Sequence, residues 1–326
     1  AYEIDLGDWS SDVCSSDLRL YLPGRNAGRF AAQRSDRPLI AAVDPHVMAA
    51  PEDSSMSLLP LIFQFVVMAL AMSAVMAIAW FIQRRTGATG WIDVCWTFGT
   101  GLVACLASVV SVPPGETASA RQIVVAILVA IWSLRLGGHL LLRTCKAGDD
   151  PRYRDLIDQW GATAGRRMFL QLQAQAAVGL LLAVSVALAA HNPRPELGFA
   201  DFIGALLLLA GLIGEALSDA QLRRFRSDPA NRQRVCEAGL WKWSRHPNYF
   251  FEWLCWLAYP LIAIDPSYPA GWITLLAPAC MYWVLVHVSG VPPLEQHMLR
   301  SRGQQFRDVQ ARTRAFLPFP KLTSGD

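Results

Sequence analysis

Charged side chains are scarce in this chain of 326 residues: Asp, Glu, Lys and Arg make up 17% of it, against about a quarter in an ordinary soluble domain. Hydrophobic residues make up 53%. The deficit is local, because long apolar runs alternate with short arginine-rich segments. This pattern excludes an ordinary water-facing globule and predicts a multi-pass helical membrane protein. The net charge of +3 is too small to indicate nucleic acid as a partner.

Several sequence patterns are also missing. None of the seven cysteines forms a CxxC pair, and most lie in apolar runs, so neither a disulfide framework nor a metal site is expected. The chain has no glycine-rich dinucleotide fingerprint and no phosphate loop. It also lacks an internal repeat of the kind that many secondary transporters carry, which weighs mildly against a transporter.

The first 55 residues differ from the rest of the chain, because they are polar and show no sustained hydrophobic period. They lack the basic start and apolar core of a signal peptide. The run from Ser11 to Leu18 resembles translated sequencing-adapter contamination, and Met48 and Met56 are candidate native starts. We therefore expect residues 1–55 to be a non-native or disordered extension, and residues 56–326 to form one membrane domain.

Long apolar runs begin at Leu58. A membrane-spanning helix needs about 20 mostly apolar residues. Seven runs in succession predict an all-α, polytopic bundle of seven transmembrane helices. The predicted spans are residues 58–82, 91–112, 121–142, 168–190, 199–218, 247–264 and 270–289.

The distribution of lysine and arginine predicts the orientation of this bundle. The four segments 83–90, 143–167, 219–246 and 290–326 hold 21 of the 29 basic residues, and the intervening loops hold almost none. Basic loops stay in the cytoplasm. We therefore expect a multi-pass integral membrane protein, in the inner membrane if the source is bacterial, whose basic loops and C-terminus are cytoplasmic.

The stretch from Asp219 to Glu252 carries the densest polar chemistry. Guanidinium groups bind phosphate oxygens through paired hydrogen bonds, and an acid inside a span is a functional candidate by default. A positive-inside loop with interfacial aromatic residues is the alternative, but the density of polar groups favours a binding site. The candidate residues are Asp219, Arg223, Arg226, Arg245, His246, Asn248, Tyr249 and Glu252.

A second polar set follows predicted span 3. Asp149, Arg152 and Tyr153 are candidates to close over a ligand that the later loop holds. Because Asp-Asp-Pro is also an ordinary turn, both interpretations stay open.

Ionisable residues inside the predicted spans are few. Asp93 is either an acid in a substrate pocket or the ion-pair partner of Arg135, and the sequence does not decide between the two. Glu215 lies near the cytoplasmic end of predicted span 5. In the tail, Glu295 lies either on a plain interfacial helix or on a helix that reaches the candidate site.

The spacing of these polar residues resembles that of the steroid 5-alpha-reductase family. The residues that carry the resemblance are Asp219, Arg223, Arg226, Gly239, Leu240, Asn248 and Glu252. The closing residues 313–319 look like the end of the same domain, and the polar positions within 135–153 are similar to an uncharacterised bacterial branch of the family.

The resemblance implies a seven-span enzyme that binds NADPH from the cytoplasmic side and reduces the carbon–carbon double bond of a 3-oxo-4-ene steroid. It implies NADPH contacts from Asp219, Arg223, Arg226 and Asn248, with Glu252 as a supporting polar group. The substrate is expected to be a steroid or another lipophilic enone held in an apolar cavity. Asp93 is the candidate for the proton donor at the substrate carbonyl, or for the residue that orients this donor.

Three positions depart from the family pattern. The family carries a ketone-binding Gln-Glu pair in span 2, where the nearest acid here is Asp93. A tyrosine in its span 3 corresponds to Trp132, and an asparagine before the aspartate corresponds to Glu215. The cofactor half of the resemblance is therefore stronger than the substrate half.

Three alternatives to this reductase remain. An S-adenosylmethionine-dependent membrane methyltransferase of the isoprenylcysteine type also places an Arg-His-Pro-x-Tyr run at the entry to a late span. It usually adds a paired Glu-Glu in the tail, where this chain has Glu295 and Gln296. A sterol reductase acting at another ring position is a variant within the same class. A transporter or non-catalytic membrane protein is the alternative from a different class.

Overall fold

A computed structural model describes residues 54–110, 117–147, 151–231, 233–319 and 321. Within these ranges the secondary structure is helical, apart from two isolated bridges, so the predicted all-helical class is confirmed there. The α-helices are α1 (Ser54–Thr86), α2 (Trp91–Val109), α3 (Ala120–Ala147), α4 (Pro151–Trp160), α5 (Ala164–Ala190), α6 (Phe199–Ser227), α7 (Pro247–Trp256), α8 (Ala258–Ala263), α9 (Leu276–Trp283), α10 (Val291–Arg302) and α11 (Gln304–Arg312).

Six helical segments in the described part of the chain are long and apolar enough to cross a membrane. They are Leu59–Thr86, Trp91–Val109, Ala120–Cys145, Leu156–Ala190, Phe199–Ser227 and Pro269–Arg302. The chain is therefore described as a multi-pass membrane protein with six candidate spans. The seventh crossing and the orientation of the C-terminus stay predictions.

The difference from the predicted count lies in residues 247–264, which form the two short helices α7 and α8 and not one long helix. Proline has no backbone N–H, and its ring clashes with the carbonyl four residues earlier in a continuous helix. Pro260 stands four residues after Trp256, where α7 ends. Proline in the middle of the apolar run therefore accounts for the break.

Close approach between helices depends on small residues, as is usual in membrane bundles. Gly137 on α3 faces the ring of Phe98 on α2, and a Cβ atom at Gly137 would lie only 2.7 Å from this ring. On α6, Gly211 faces the backbone of α7, where a Cβ atom would lie 2.9 Å from the carbonyl oxygen of Phe251. These glycines bring the polar side chains of neighbouring helices within reach of each other.

A buried ion pair holds the N-terminal ends of α3 and α6 together. Arg121 donates from Nε to Asp201 Oδ1 at 2.7 Å and from Nη1 to the carbonyl of Asn192 at 3.0 Å. It also donates to the carbonyls of Arg194 and Glu196. Because a buried charge is stable only when it is paired and hydrogen-bonded, this arrangement is structural.

The loop between α6 and α7 folds back on α6. The backbone N–H of Leu240 donates to Gln221 at 2.8 Å, and the indole of Trp241 donates to the carbonyl of Ser218 at 2.9 Å. Gly239 has a φ of 60°, a conformation that glycine adopts without strain. The turn at Gly239 thus places the start of α7 beside the C-terminal half of α6.

The contact between α6 and α7 generates a stability prediction. Gly211→Ala places its methyl group against backbone atoms of α7, which cannot move aside as a flexible side chain does. We expect a loss of about 1–3 kcal/mol, the usual cost of overpacking, measured by thermal unfolding in detergent. Gly138→Ala is the matched control, because a Cβ atom there meets nothing within 4 Å. Equal effects in the two variants would contradict the prediction.

Candidate functional site

Ionisable side chains from three helices meet inside the bundle, and we call this group the charged ladder: Arg135, His139, Glu215, Asp219 and Glu252. Arg135 on α3 forms ion pairs with Glu215 and, at 2.6 Å, with Asp219 on α6. His139 lies 3.8 Å from the same carboxylate of Asp219. Because residues four apart share a helix face, the two acids of α6 meet the two basic residues of α3.

Glu252 on α7 forms the innermost part of the charged ladder, and it is buried. Its carboxylate accepts hydrogen bonds from the indole N–H of Trp132, at 3.0 and 3.1 Å, and from that of Trp256, at 3.0 Å. The two indole rings pack edge to face with their centroids 4.8 Å apart. An indole N–H donates a hydrogen bond but carries no charge, so these contacts orient Glu252 without neutralising it.

Four arginines surround the outer part of the charged ladder, and we call them the basic mouth: Arg143, Arg223, Arg226 and Arg302. Arg223 lies 3.5 Å from the ring nitrogen Nδ1 of His139. The charge of Arg143 acts on both His139 and Arg226, and the charge of Arg302 acts on Arg226. Like charges repel each other, so a gathering of guanidinium groups is stabilised by an anion between them.

A separate polar network contains Asp93. The buried phenol of Tyr153 donates to Asp93 Oδ1 at 2.8 Å and accepts from the side-chain amide of Gln175 at 2.9 Å. The indole of Trp96 donates to the backbone carbonyl of Gln175 at 2.9 Å. Pairing of Asp93 with Arg135, which the sequence left open, is not found, because Arg135 binds within the charged ladder.

An aromatic contact separates the Asp93 network from the charged ladder. Trp96, one turn after Asp93 on α2, packs edge to face against Trp132 with the ring centroids 6.5 Å apart. Trp132 donates to Glu252 on its other side. The two polar networks therefore lie on either side of one pair of indoles.

Arg245 and His246 lie in a third group, the tail clasp, which consists of Arg245, His246, Glu295 and Gln310. Arg245 binds Glu295 Oε1 through Nε and Nη2, both at 2.7 Å. His246 Nε2 lies 3.2 Å from the same oxygen, and Gln310 donates to the other carboxylate oxygen at 2.7 Å. Arg245 also donates to the carbonyl of Thr313. Glu295 thus joins the start of α7 to the tail helices α10 and α11.

The remaining predicted residues lie in different places. Asn248, in the first turn of α7, is half-buried, and its side chain makes no hydrogen bond to another residue in the described ranges. The ring of Tyr249 stacks on that of His246, with the ring centroids 5.7 Å apart. Asp149 lies outside the described residues, as does the side chain of Arg152.

Residues 79–313, well over half of the chain, match the family described as "Protein of unknown function (DUF1295)". The chain belongs to this family. No curated protein and no solved structure gives a significant match. The matched range contains the charged ladder, the basic mouth, the Asp93 network and the whole tail clasp.

In this DUF1295-family chain, the structure brings four predicted site residues into the charged ladder and the basic mouth: Asp219, Arg223, Arg226 and Glu252. It places Asp93 with Tyr153, and Arg245 with His246, in separate groups. Arg135 and Glu215 were not among the predicted site residues. Their signal was present in the sequence, because Arg135 and His139, like Glu215 and Asp219, repeat at helical spacing inside apolar runs.

Sequence reasoning also missed the contribution of neutral side chains. Trp132 and Trp256 donate to Glu252, and Gln175 donates to the phenol oxygen of Tyr153. Trp256 follows Glu252 by four residues on α7, a spacing that the sequence shows, whereas the partners of Trp132 and Gln175 lie on other helices and are not visible in the sequence.

The tail clasp generates a prediction for the pH dependence of stability. Burial lowers the pKa of His246 below its ordinary value of 6.5, and this outweighs the opposing effect of Glu295, whose charge Arg245 already balances. The unfolded chain then binds a proton more readily than the folded protein. The contribution of His246 to the free energy of unfolding is therefore fully present above pH 6.5. It falls as the pH drops below 6.5, by up to about 1.4 kcal/mol per pH unit.

The measurement is thermal unfolding in detergent across this pH range. His246→Gln keeps a hydrogen-bond donor near Glu295 but does not titrate, so its stability should depend less on pH. His297→Gln, at an exposed position on α10, should retain the wild-type profile. A wild-type profile in His246→Gln would show that another group controls the acid sensitivity.

Proposed function

We propose that this chain is a membrane-bound reductase that uses NADPH to reduce the carbon–carbon double bond of a 3-oxo-4-ene steroid or a similar lipophilic enone. The observation that carries the proposal is the basic mouth above the charged ladder, inside a bundle with apolar walls. The mouth suits a polyanionic cofactor, and the apolar bundle suits a lipophilic substrate. Membership of the DUF1295 family assigns no activity by itself, so the proposal depends on this geometry and on the resemblance of the motif.

The basic mouth fits the phosphate groups of NADPH. Arg223 and Arg226 are exposed and lie one helical turn apart on α6, where their guanidinium groups are available to bind the pyrophosphate and the 2′-phosphate. Asn248 has an amide without a hydrogen-bond partner in the described ranges, which is available to a polar group of the cofactor. When bound, NADPH supplies the hydride of the reaction.

On the substrate side, the Asp93 network offers a positioned phenol. Charge develops on the carbonyl oxygen of an enone during conjugate reduction, and a hydrogen-bond donor at this oxygen lowers the barrier. The single O–H of Tyr153 is donated to Asp93 in this structure, so Asp93 holds the phenol in place and Tyr153 becomes the donor to the substrate when its O–H turns from Asp93 to the carbonyl oxygen. Gln175 fixes the phenol oxygen from the other side.

A second candidate function is an S-adenosylmethionine-dependent methyltransferase of the isoprenylcysteine type. The observation in its favour is the contact of Glu295, on the tail helix, with both Arg245 and His246 of the Arg-His-Pro-x-Tyr run. In the present structure Glu295 and backbone carbonyls occupy the donors of Arg245. Because this occupation leaves Arg245 little capacity for a ligand, the reductase remains the first proposal.

The cofactor prediction concerns Arg226. Arg226→Ala should weaken NADPH binding to the detergent-purified protein by about 10–100-fold, since a hydrogen bond to a charged group contributes about 1.5–3 kcal/mol. Arg224→Ala is the matched control, because Arg224 is also exposed but points about 160° away from Arg226 around the helix axis. Isothermal titration with NADPH gives both affinities.

A parallel titration with S-adenosylmethionine tests the second candidate function. Binding of S-adenosylmethionine without any binding of NADPH would contradict the reductase and favour the methyltransferase. Binding of neither cofactor would favour a transporter or another non-catalytic membrane protein.

The substrate prediction concerns Tyr153 and Asp93. Tyr153→Phe removes the phenol O–H and should lower kcat with a 3-oxo-4-ene steroid on the order of 10²-fold, as the loss of one donor to a developing oxyanion does. Asp93→Asn still accepts a hydrogen bond from the phenol, so its effect should be smaller. NADPH affinity should stay unchanged in both variants. Unchanged kcat in Tyr153→Phe would remove this residue from the reaction.

A further inference from the structure

Two buried carboxyl groups face each other in the charged ladder. Glu215 and Glu252 are 4% and 6% exposed, and their side chains lie within hydrogen-bonding reach of each other. Glu252 accepts from the two indoles of Trp132 and Trp256. Glu215 binds Arg135 through one oxygen, while its other oxygen, Oε2, has no hydrogen-bond partner among the residues that the structure describes. A buried polar atom without a partner is rare and calls for an explanation.

The charges around this pair do not balance if both carboxyl groups are ionised. Arg135 is the one guanidinium that the described residues place against the pair, and Asp219 shares it. From the outer part of the charged ladder, His139 and Arg223 contact Asp219 or each other.

Among the described residues, the remaining titratable neighbours of the pair add no positive charge. Cys255 on α7 donates its thiol to the carbonyl of Leu208, and the ring of Tyr259 on α8 packs against that of Trp256 with the ring centroids 5.6 Å apart. Two adjacent carboxylates in a medium of low dielectric repel each other strongly, and one of them remains protonated in such pairs.

We propose that Glu215 and Glu252 bind a single proton between them, so that the pair is a proton-binding site inside the bundle. A proton on Glu215 Oε2 turns the atom without a partner into a donor to Glu252. Glu252 then accepts three hydrogen bonds, two from indoles and one from Glu215, which lies within the capacity of a carboxylate. The pair as a whole keeps one negative charge, which faces Arg135.

The exposure of the charged ladder increases away from this pair. The side chain of Arg135 is 18% exposed and that of His139 is 31% exposed, and the basic mouth follows. The pair therefore lies at the closed end of the charged ladder, and the basic mouth lies at its open end. A proton at the closed end is exchanged through the open end and not through the apolar walls.

Infrared spectroscopy of the purified protein tests the shared proton without any substrate. We expect a carbonyl band of a protonated carboxyl group at neutral pH, and its loss in both Glu215→Gln and Glu252→Gln. The amide of glutamine replaces the proposed O–H donor, and thermal unfolding checks that each variant folds. Glu237→Gln is the control, because Glu237 is an exposed acid that binds Arg312, and the band should remain. A wild-type protein without the band, or a band that persists in both variants, would overturn the proposal.

Discussion

Balance of buried charge is the constraint on which the rest of this structure depends. Three carboxyl groups, those of Glu215, Asp219 and Glu252, lie inside an apolar bundle beside Arg135. A charge in such surroundings is stable only when it is paired and hydrogen-bonded, so α3, α6 and α7 must keep a fixed relative position. Removal of one partner from a buried pair leaves the other uncompensated, which costs more than the pair contributes. A contribution to stability therefore does not explain the charged ladder, and its presence indicates a function.

Close packing is the condition for that balance. Gly211 lets α7 approach α6 so closely that Glu252 reaches Glu215, and the turn at Gly239 sets where α7 begins. Helix α7 ends at Trp256, and the indole of this last residue donates to Glu252 one turn earlier. Small residues and a proline thus determine the chemistry of the site, although none of them takes part in it.

The sequence predicted the fold better than the site, for a physical reason. Hydropathy acts along the chain, so the five long helices α1, α2, α3, α5 and α6 lie close to predicted spans, whereas the short polar helix α4 was not predicted. The break at Pro260 was missed because the run remains apolar throughout. In the site, the predicted Asp219, Arg223 and Arg226 share one helix and keep their spacing in the structure. Contacts between helices could not be predicted in this way, because the partners of Asp93 and Glu252 on other helices depend on how the bundle packs.

The arginines of this chain perform three kinds of work, and their surroundings distinguish them. Arg121 is buried with every donor engaged, and it holds two helix ends together. Arg245 is held in the same way by Glu295 and by backbone carbonyls, which makes it part of the tail clasp. Arg223 and Arg226 are exposed, and the charges of the other two arginines of the basic mouth act on Arg226. A positive-inside loop needs cations but does not need them to converge above buried acids. This convergence, more than the number of arginines, favours an anionic cofactor at the basic mouth.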